Sequence, residues 1–377
     1  MSAYRTDAVV IGGGVVGLAI ARQLAQAGHE TIVLERHAGI GRETSSRNSG
    51  VLHAGVYYQP GSLKAQFCAP GRAMLARYCA DTGVEARFCG KLLLASNEDE
   101  AAALPALLTR AKANGVRDIA LLEAAAARRL EPEIACVAAL WCRDTSIVDA
   151  HGLMQALAGD LTAAGGAVAL ATEAAAIARD GDSLRLLTKE AGGAETELVA
   201  PIVINAAGHG APALARRTAG LEARSQPRQW FAKGNYFAFT GHNPFSRLIY
   251  PTGAAATGVA AGLGVHATLD LGGQLRFGPD VEWTQSADDV LVDPARATLF
   301  EAAVRAWWPG LPDGALAPAW AGVRPKLHGP GAAAPDFRLD GPAQHGVGGL
   351  VNLFGVESPG LTACLAIAAR VAAMANS

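Results

Sequence analysis

A glycine motif near the N-terminus constrains the fold of this chain more than any other feature. The run Asp7–Ile11 is typical of a buried parallel strand, and Gly12-Gly13-Gly14-Val15-Val16-Gly17 follows it as GxGxxG. The pattern then predicts a helix over Val15–Ala27 and a second strand over Glu30–Leu34, which ends at the acid Glu35. Strand, glycines, helix, strand and acid in this order predict a Rossmann-type dinucleotide-binding unit.

Each position of the motif has a physical reason. Gly12 allows the tight turn, Gly14 lets the backbone approach a pyrophosphate, and Gly17 lets helix and strand pack closely. The helix start presents free N–H groups to phosphate. Glu35 can accept hydrogen bonds from a ribose hydroxyl, and an acid at this position argues against a 2′-phosphate.

The motif by itself does not separate FAD from NAD, but the chain that follows does. An NAD-only dehydrogenase usually continues with alternating strands and helices. Here residues 39–61 are instead rich in glycine and hydroxyl side chains, which suits the wrapping of an extended cofactor. The predicted cofactor is therefore FAD, and no second dinucleotide unit for NAD is visible.

The rest of the pattern predicts an α/β protein with two intertwined domains. A Rossmann-like FAD-binding domain is expected from residues 1–78, 145–215 and 335–377, with an antiparallel-sheet substrate domain inserted as residues 79–144 and 216–334. Within this plan, Ile147–Asp149 is expected to open a helix and Glu197–Asn205 to form one strand. The chain has 377 residues, half of them hydrophobic, which is enough for this arrangement.

Charge and cysteine usage exclude several classes of function. The net charge is −2 and no basic run occurs, so a nucleic-acid partner is not expected. The six cysteines form no CxxC and no metal-ligand spacing, so no metal site is predicted and reduced thiols are expected. The apolar run Leu361–Met374 is shorter than the ~20 residues of a membrane span. We therefore expect no transmembrane segment and a cytoplasmic location, with peripheral contact at the inner face of the membrane left open.

A longer block after the glycine motif resembles a known family. Ser46-Arg47-Asn48-Ser49-Gly50-Val51-Leu52-His53-Ala54-Gly55-Val56-Tyr57-Tyr58 is similar to the L-2-hydroxyglutarate dehydrogenase/oxidase family of D-amino-acid-oxidase-like flavoproteins. The similarity recurs along the chain at Gly61–Ala65, Cys89–Leu92, Ile147–Asp149, Ile249–Pro251, Leu263–His266 and Ala321–Arg324. It implies a D-amino-acid-oxidase-like fold, FAD, oxidation of a small-molecule 2-hydroxy acid to a 2-oxo acid, and electron delivery to a quinone or another acceptor.

The chain departs from the family in two places. Members commonly carry an arginine shortly after Gly-Val-His, whereas here the stretch continues His266-Ala267-Thr268-Leu269-Asp270. The C-terminal turn of the family is usually richer in proline and alanine than Glu357-Ser358-Pro359-Gly360-Leu361-Thr362. Both departures fall where substrate or flavin is expected, so the identity of the acid is less constrained than the chemistry.

From the motif and the resemblance together, we predict a set of FAD contacts along the chain. They are Gly12, Gly14, Val16, Gly17, Glu35, Arg36, Thr44, Ser45, Ser46, Asn48, Ser49, Val51, Ala174, Ala207, Gly208, Gly322, Arg324, Ser358, Pro359, Gly360, Leu361 and Thr362.

Oxidation of a 2-hydroxy acid also needs a base for the hydroxyl proton and cations for the carboxylate. His53 is the predicted base, because an imidazole with a pKa near 6.5 accepts a proton at neutral pH, and His266 is its rival. Arg324 is the predicted carboxylate clamp, since its fork matches a carboxylate, and Lys233 is a candidate second cation.

Tyr58, Tyr250 and Glu357 are further substrate candidates. The structural alternatives are a hydrogen bond to the flavin or a neighbouring strand for His53, a salt bridge for Arg324, a solvated side chain for Lys233, and core packing for Tyr58 and Tyr250. Two other functions stay open at this point: an amine or amino-acid oxidase of the same superfamily, and a flavoprotein without turnover.

Overall fold

The structure is a computed structural model that describes residues 3–253 and 264–375. Leu263, which opens the Leu263–His266 segment that resembles the family, lies outside the described residues.

The strands of the described chain are, in order, β1 (Tyr4–Arg5), β2 (Ala8–Ile11), β3 (Thr31–Leu34), β4 (Val51–Leu52), β5 (Ala86–Arg87), β6 (Lys91–Ala95), β7 (Ile119–Glu123), β8 (Ala138–Cys142), β9 (Ser146–Val148), β10 (Ala167–Ala169), β11 (Thr172–Asp180), β12 (Ser183–Glu190), β13 (Glu195–Ala200), β14 (Ile202–Asn205), β15 (Trp230–Phe239), β16 (Leu248–Pro251), β17 (Ala267–Leu269), β18 (Leu275–Phe277), β19 (Glu282–Thr284), β20 (Leu316–Lys326), β21 (Arg338–Asp340) and β22 (Leu350–Phe354).

The α-helices of the described chain are α1 (Val15–Gln26), α2 (Leu63–Thr82), α3 (Glu98–Ala113), α4 (Ala124–Leu130), α5 (Ala150–Ala163), α6 (Ala211–Arg216), α7 (Ala297–Arg305), α8 (Pro342–His345) and α9 (Gly360–Ala375). Short 3₁₀ turns occur at Gly208–Gly210, Ala223–Ser225 and Pro294–Arg296.

A six-stranded sheet forms the frame of the dinucleotide unit. Its order is β10-β3-β2-β14-β22-β21, and all neighbours run parallel except β21, which is antiparallel to β22. Strands β2, β14 and β22 are buried along their whole length, which explains their continuous apolar sequences. The strands come from all three segments that we assigned to the FAD-binding domain, although the domain boundaries themselves stay a prediction.

Helices cover one face of this sheet and a smaller sheet covers the other. Helix α1 packs against α5 and α9, and α9 also packs against α2, so that Leu18, Leu24, Leu75 and Ile367 share one core. On the opposite face lies a four-stranded sheet of order β1-β13-β12-β11. The carboxyl ends of the parallel strands are left free to meet a ligand.

A second, larger sheet is built from the middle of the chain. Its order is β19-β15-β18-β17-β16-β6-β8-β7, with β20 paired to β15, and its neighbours are antiparallel except for the parallel pair β16 and β6. A core rich in aromatic side chains, including Phe237, Phe277 and Trp307, packs on one face of this sheet. A small sheet of β4, β9 and β5 joins the two parts of the molecule.

Two local predictions were wrong and one strand was missed. The expected single strand Glu197–Asn205 is two strands in different sheets, since Pro201 lacks an N–H for a ladder and separates β13 from β14. Ile147 and Val148 belong to strand β9, and only Asp149 starts the helix, by accepting a hydrogen bond from the His151 N–H. Strand β20 has no clear sequence pattern because it contains Pro318 and Pro325.

Candidate active site

One cavity joins the glycine motif to the large sheet. Its volume is about 860 Å³, within the ~300–1,000 Å³ of typical ligand sites. The wall contains every predicted FAD contact except Ser46, and it also contains His53, Tyr58, Tyr250, His266 and Glu357. The fold therefore brings together residues that are separated by more than 300 positions in sequence.

The glycines at the closed end are required by close backbone approaches. Gly12 has a φ of +111°, and a Cβ there would lie 2.5 Å from the carbonyl oxygen of Ala206. A Cβ at Gly17 would lie 2.0 Å from the carbonyl oxygen of Gly12. Gly14 differs, because a Cβ there would meet only the Ser45 hydroxyl, at 2.9 Å, and the position faces the cavity. Gly12 and Gly17 thus shape the turn, whereas Gly14 leaves room beside it.

Glu35 lies at the end of β3 and points into the turn. Its two carboxylate oxygens accept the N–H groups of Gly13 and His37, each at 2.8 Å. Each carboxylate oxygen can accept more than one hydrogen bond, so Glu35 can hold the turn and still accept from a ribose hydroxyl. Arg36, which follows it on the cavity wall, is ion-paired with Glu43.

The hydroxyl-rich segment after β3 folds over the helix start. Ser45 accepts a hydrogen bond from the Val15 N–H at 3.0 Å, and the Asn48 amide donates to the Ser45 carbonyl at 2.7 Å. Ser46 does not line the cavity, because its hydroxyl donates to the carbonyl of Gly41 instead. We therefore remove Ser46 from the predicted FAD contacts.

These features fit FAD. The turn has no side chain where a pyrophosphate would approach, an acid stands at the ribose position, and the cavity continues from there past Ser49 and Val51 to the large sheet. In that direction the wall includes the C-terminal turn Ser358–Leu361 and the start of α9. The N–H groups at this helix start carry partial positive charge and can donate hydrogen bonds to the flavin ring.

His53 stands between this turn and the large sheet. Its backbone N–H donates to the Thr362 hydroxyl at 3.0 Å, and its Nε2 lies 3.3 Å from the Ser358 hydroxyl. Burial, and secondarily the positive charge of Lys91, lower the pKa of His53 to about 3. The imidazole is therefore neutral at neutral pH, and a ring nitrogen can accept a proton.

Aromatic side chains form the wall next to His53. His266 stacks on Tyr250 with ring centroids 3.6 Å apart, and both are buried. Tyr58 contacts Ser358, and burial raises its pKa well above the ordinary value, as it also raises the pKa of Tyr250. These tyrosines are hydroxyl donors at neutral pH, and His266 is positioned by stacking on one of them.

Arg324 enters the cavity from strand β20. Its Nη2 donates to the Asp280 carbonyl at 3.0 Å, and a Cβ on the facing Gly234 would lie 2.5 Å from the same nitrogen. Gly234 thus leaves space for the guanidinium. One hydrogen bond fixes the group, and its remaining N–H donors suit a carboxylate.

Lys233 was a wrong substrate candidate. Its ammonium donates to Asp289 at 3.0 Å and lies 3.4 Å from Glu282, and the residue does not line the cavity. Alternation along β15 turns Lys233 away from the side that faces the cavity. Lys233 is instead buried in ion pairs with these two acids.

Glu357 does line the cavity, but its carboxylate is engaged by two lysines that sequence reasoning did not select. Lys326 lies 2.6 Å from it and Lys64 3.5 Å from it. Both lysines also line the cavity. They belong to the Gly61–Ala65 motif and to the residues just after Arg324, so the motifs marked the right segments but not these side chains.

Comparisons with known proteins agree with this geometry. Residues 7–374 match the family described as FAD dependent oxidoreductase. The chain belongs to the FAD-dependent oxidoreductase family. Its cofactor is FAD, and the enzyme class and D-amino-acid-oxidase-like fold expected from the sequence are confirmed.

Individual relatives narrow the subgroup. Mitochondrial L-2-hydroxyglutarate dehydrogenase of Arabidopsis thaliana is 39% identical over 98% of this chain and 83% of its own length. The enzyme of the same name from Pongo abelii is 32% identical over 73% of this chain and 67% of its own length. Dithionite-reduced L-α-glycerophosphate oxidase of Mycoplasma pneumoniae with FAD bound has a TM-score of 0.87 at 24% identity, covering all of this chain and 96% of its own, which shows a shared fold. The resemblance to the L-2-hydroxyglutarate dehydrogenase family is therefore confirmed.

Proposed function

We propose that this FAD-dependent oxidoreductase oxidises L-2-hydroxyglutarate to 2-oxoglutarate. The observation that carries the proposal is the continuity of one cavity from the glycine cradle to a wall where His53 and Arg324 both project. The names of the similar proteins supply the candidate substrate.

In the proposed reaction the chain binds the acid and moves one proton. Arg324 holds the α-carboxylate through two parallel N–H donors, which fixes the position of the α-carbon. His53 accepts the proton of the 2-hydroxyl group, as its neutral state permits. When bound, FAD supplies the acceptor for the hydride that leaves the α-carbon.

The low pKa of His53 requires compensation when the proton arrives. A bound carboxylate brings negative charge next to the imidazole, which raises the pKa of His53 and favours proton uptake. The bound substrate thus raises the pKa of the residue that accepts its proton. His266 contributes by fixing the Tyr250 ring, and it is the alternative base.

The electron acceptor and the location of the protein belong to the proposal as well. We propose a quinone or another small acceptor for the electrons. No helix in the described parts of the chain is long and apolar enough to cross a membrane, and we propose a cytoplasmic enzyme, with peripheral contact at the inner face of the membrane as its route to a quinone.

An anaerobic substrate panel tests the proposed function. The FAD-loaded protein is mixed with L-2-hydroxyglutarate, D-2-hydroxyglutarate, lactate or glycine, and the absorbance of the oxidised flavin is followed. We expect rapid loss of absorbance with L-2-hydroxyglutarate and one 2-oxoglutarate per FAD, slower loss with lactate, and none with glycine. Reduction by glycine alone would instead identify an amino-acid oxidase, and no reduction by any compound would favour a flavoprotein without turnover.

A further inference from the structure

Lys91 is a buried lysine for which the described chain provides no anion. It begins strand β6, and the residue is only 1% exposed. The two lysines that line the cavity do have an anionic partner, since Lys64 and Lys326 both contact Glu357. Among the described residues, no ion pair or hydrogen bond of the Lys91 ammonium is found; it contacts two aromatic rings instead. Burial of an uncompensated charge is costly and lowers the pKa of Lys91, and an anionic partner would offset this cost.

The two rings place the ammonium behind the cavity wall. The Lys91 Nζ lies 5.1 Å from the centre of the Tyr57 ring and 4.6 Å from that of Tyr250, and both tyrosines line the cavity. The hydroxyl of Tyr57 is itself buried and has no hydrogen-bond partner within the described residues. The unused donor of Tyr57 thus lies at one corner of the cavity, and the positive charge of Lys91, which does not itself line the cavity, lies behind this wall.

The surroundings of this corner add no negative charge. Strand β8 places Cys142 opposite Lys91, and helix α2 brings Cys68 nearby. Burial raises the pKa of each thiol, to about 12 for Cys68. Asp144, which faces Cys142, is paired with Arg72 at 3.3 Å. Burial also raises the pKa of the tyrosines at this corner, Tyr57, Tyr58 and Tyr250. Their hydroxyl groups are therefore neutral at neutral pH.

We propose that Lys91 is a positioning residue that makes this corner a site for a carboxylate group of the substrate, with the Tyr57 hydroxyl as its donor. Arg324 holds one carboxylate, and the corner of the cavity at Tyr57 receives the other, with the charge of Lys91 behind the ring. The site therefore selects a dicarboxylic acid over a monocarboxylic one. The inference rests on the proposed function only for the identity of the acid.

The same ammonium acts on the base. Burial is the main reason why the pKa of His53 is low, and the positive charge of Lys91, which repels a proton on the imidazole, lowers it further. A carboxylate in the corner offsets this repulsion, which links occupancy of the corner by a dicarboxylate to proton uptake by His53.

Binding of two inert acids to the FAD-loaded protein tests the inference without turnover. Glutarate has two carboxylates and butyrate has one, and their binding is measured by calorimetry and by the change in flavin absorbance. We expect the wild type to prefer glutarate, and Lys91→Met to lose about tenfold of that preference because one nearby charge is removed. Lys91→Arg should keep the preference within about threefold. Lys189→Met removes an exposed lysine from β12 and should leave the preference unchanged.

Tyr57→Phe provides a second variant that keeps both volume and the Lys91 charge. It should also weaken the preference for glutarate, since the donor to the second carboxylate is lost. If Lys91→Met does not retain FAD, this variant decides, and an unchanged preference in Tyr57→Phe would overturn the proposal.

The pH dependence supplies a readout that a purely structural role would not change. Removal of a like charge raises the pKa of His53, so the acid limb of the flavin-reduction rate should move to higher pH in Lys91→Met. Unchanged preference and an unchanged pH profile would refute the role of Lys91. If no 2-hydroxy acid reduces the wild type, but glutarate still binds in a Lys91-dependent manner, the proposed function fails and this inference stands.

Discussion

Two glycines of the same turn should respond to substitution in different ways. Gly14→Leu introduces a side chain where the backbone faces the cavity, and only the Ser45 hydroxyl lies within contact distance of the first added carbon, at 2.9 Å. The φ of Gly14 is −82°, which any residue adopts, so no backbone strain follows. Gly17→Ala instead places a carbon 2.0 Å from a backbone oxygen, which cannot be relieved without moving helix α1 from strand β2.

The magnitudes separate the two variants. Overpacking against backbone destabilises by about 1–3 kcal/mol or more, so Gly17→Ala should lower the stability of the apoprotein. Gly14→Leu should leave the apoprotein nearly as stable as the wild type but remove FAD. A ligand present at 100 times its Kd stabilises by about 2.7 kcal/mol, and Gly14→Leu should lose this contribution entirely.

The assay combines FAD content after purification with thermal denaturation, with and without added FAD. Gly159→Ala is a matched control, because this helical glycine has no neighbour within 4 Å of an added Cβ. It should bind FAD normally and gain about 0.5–1 kcal/mol. Full FAD occupancy in Gly14→Leu would refute the placement of the cofactor.

Three further predictions follow from single contacts. Arg324→Lys keeps the charge but loses the fork, so the substrate concentration for half-maximal flavin reduction should rise at least about tenfold in stopped-flow measurements, with a smaller change in the saturating rate. Lys233→Met should lower the unfolding free energy by about 1–3 kcal/mol, measured with urea, and leave substrate binding unchanged, because Lys233 serves Asp289 and not the cavity. The pKa of His53 is lowered on folding, so its contribution to stability is present above pH ~6.5 and is lost as pH falls towards 3; urea midpoints measured across this range should fall less steeply in His53→Gln than in the wild type.

The dinucleotide cradle could be predicted from sequence because its determinants are local. Strand β2, the glycines, helix α1 and Glu35 follow one another directly, and each has a backbone reason for its residue type. The helix start was predicted at Ile147, two residues before its cap Asp149, because the short buried strand β9 is apolar like the first turn of a helix.

Side-chain partners from distant segments could not be predicted in this way. From the sequence, Lys233 was a candidate to bind a substrate carboxylate. In the structure its ammonium donates a hydrogen bond to Asp289, which lies 56 residues away in sequence. Lys91 lies in the Cys89–Leu92 segment that resembles the family, but only the fold shows its ammonium beside two tyrosine rings. The charge of a lysine can be read from sequence, but whether that charge is already neutralised depends on tertiary contacts.

Stopped-flow reduction of His53→Gln under anaerobic conditions tests the central claim most directly. Glutamine keeps a polar side chain near Ser358 but cannot take up a proton near neutral pH. With L-2-hydroxyglutarate varied to saturation, we expect the limiting rate of flavin reduction to fall by about 10²–10⁴-fold, while the concentration for half-maximal rate changes much less. A limiting rate near that of the wild type would contradict the account and make His266 the first candidate for the base.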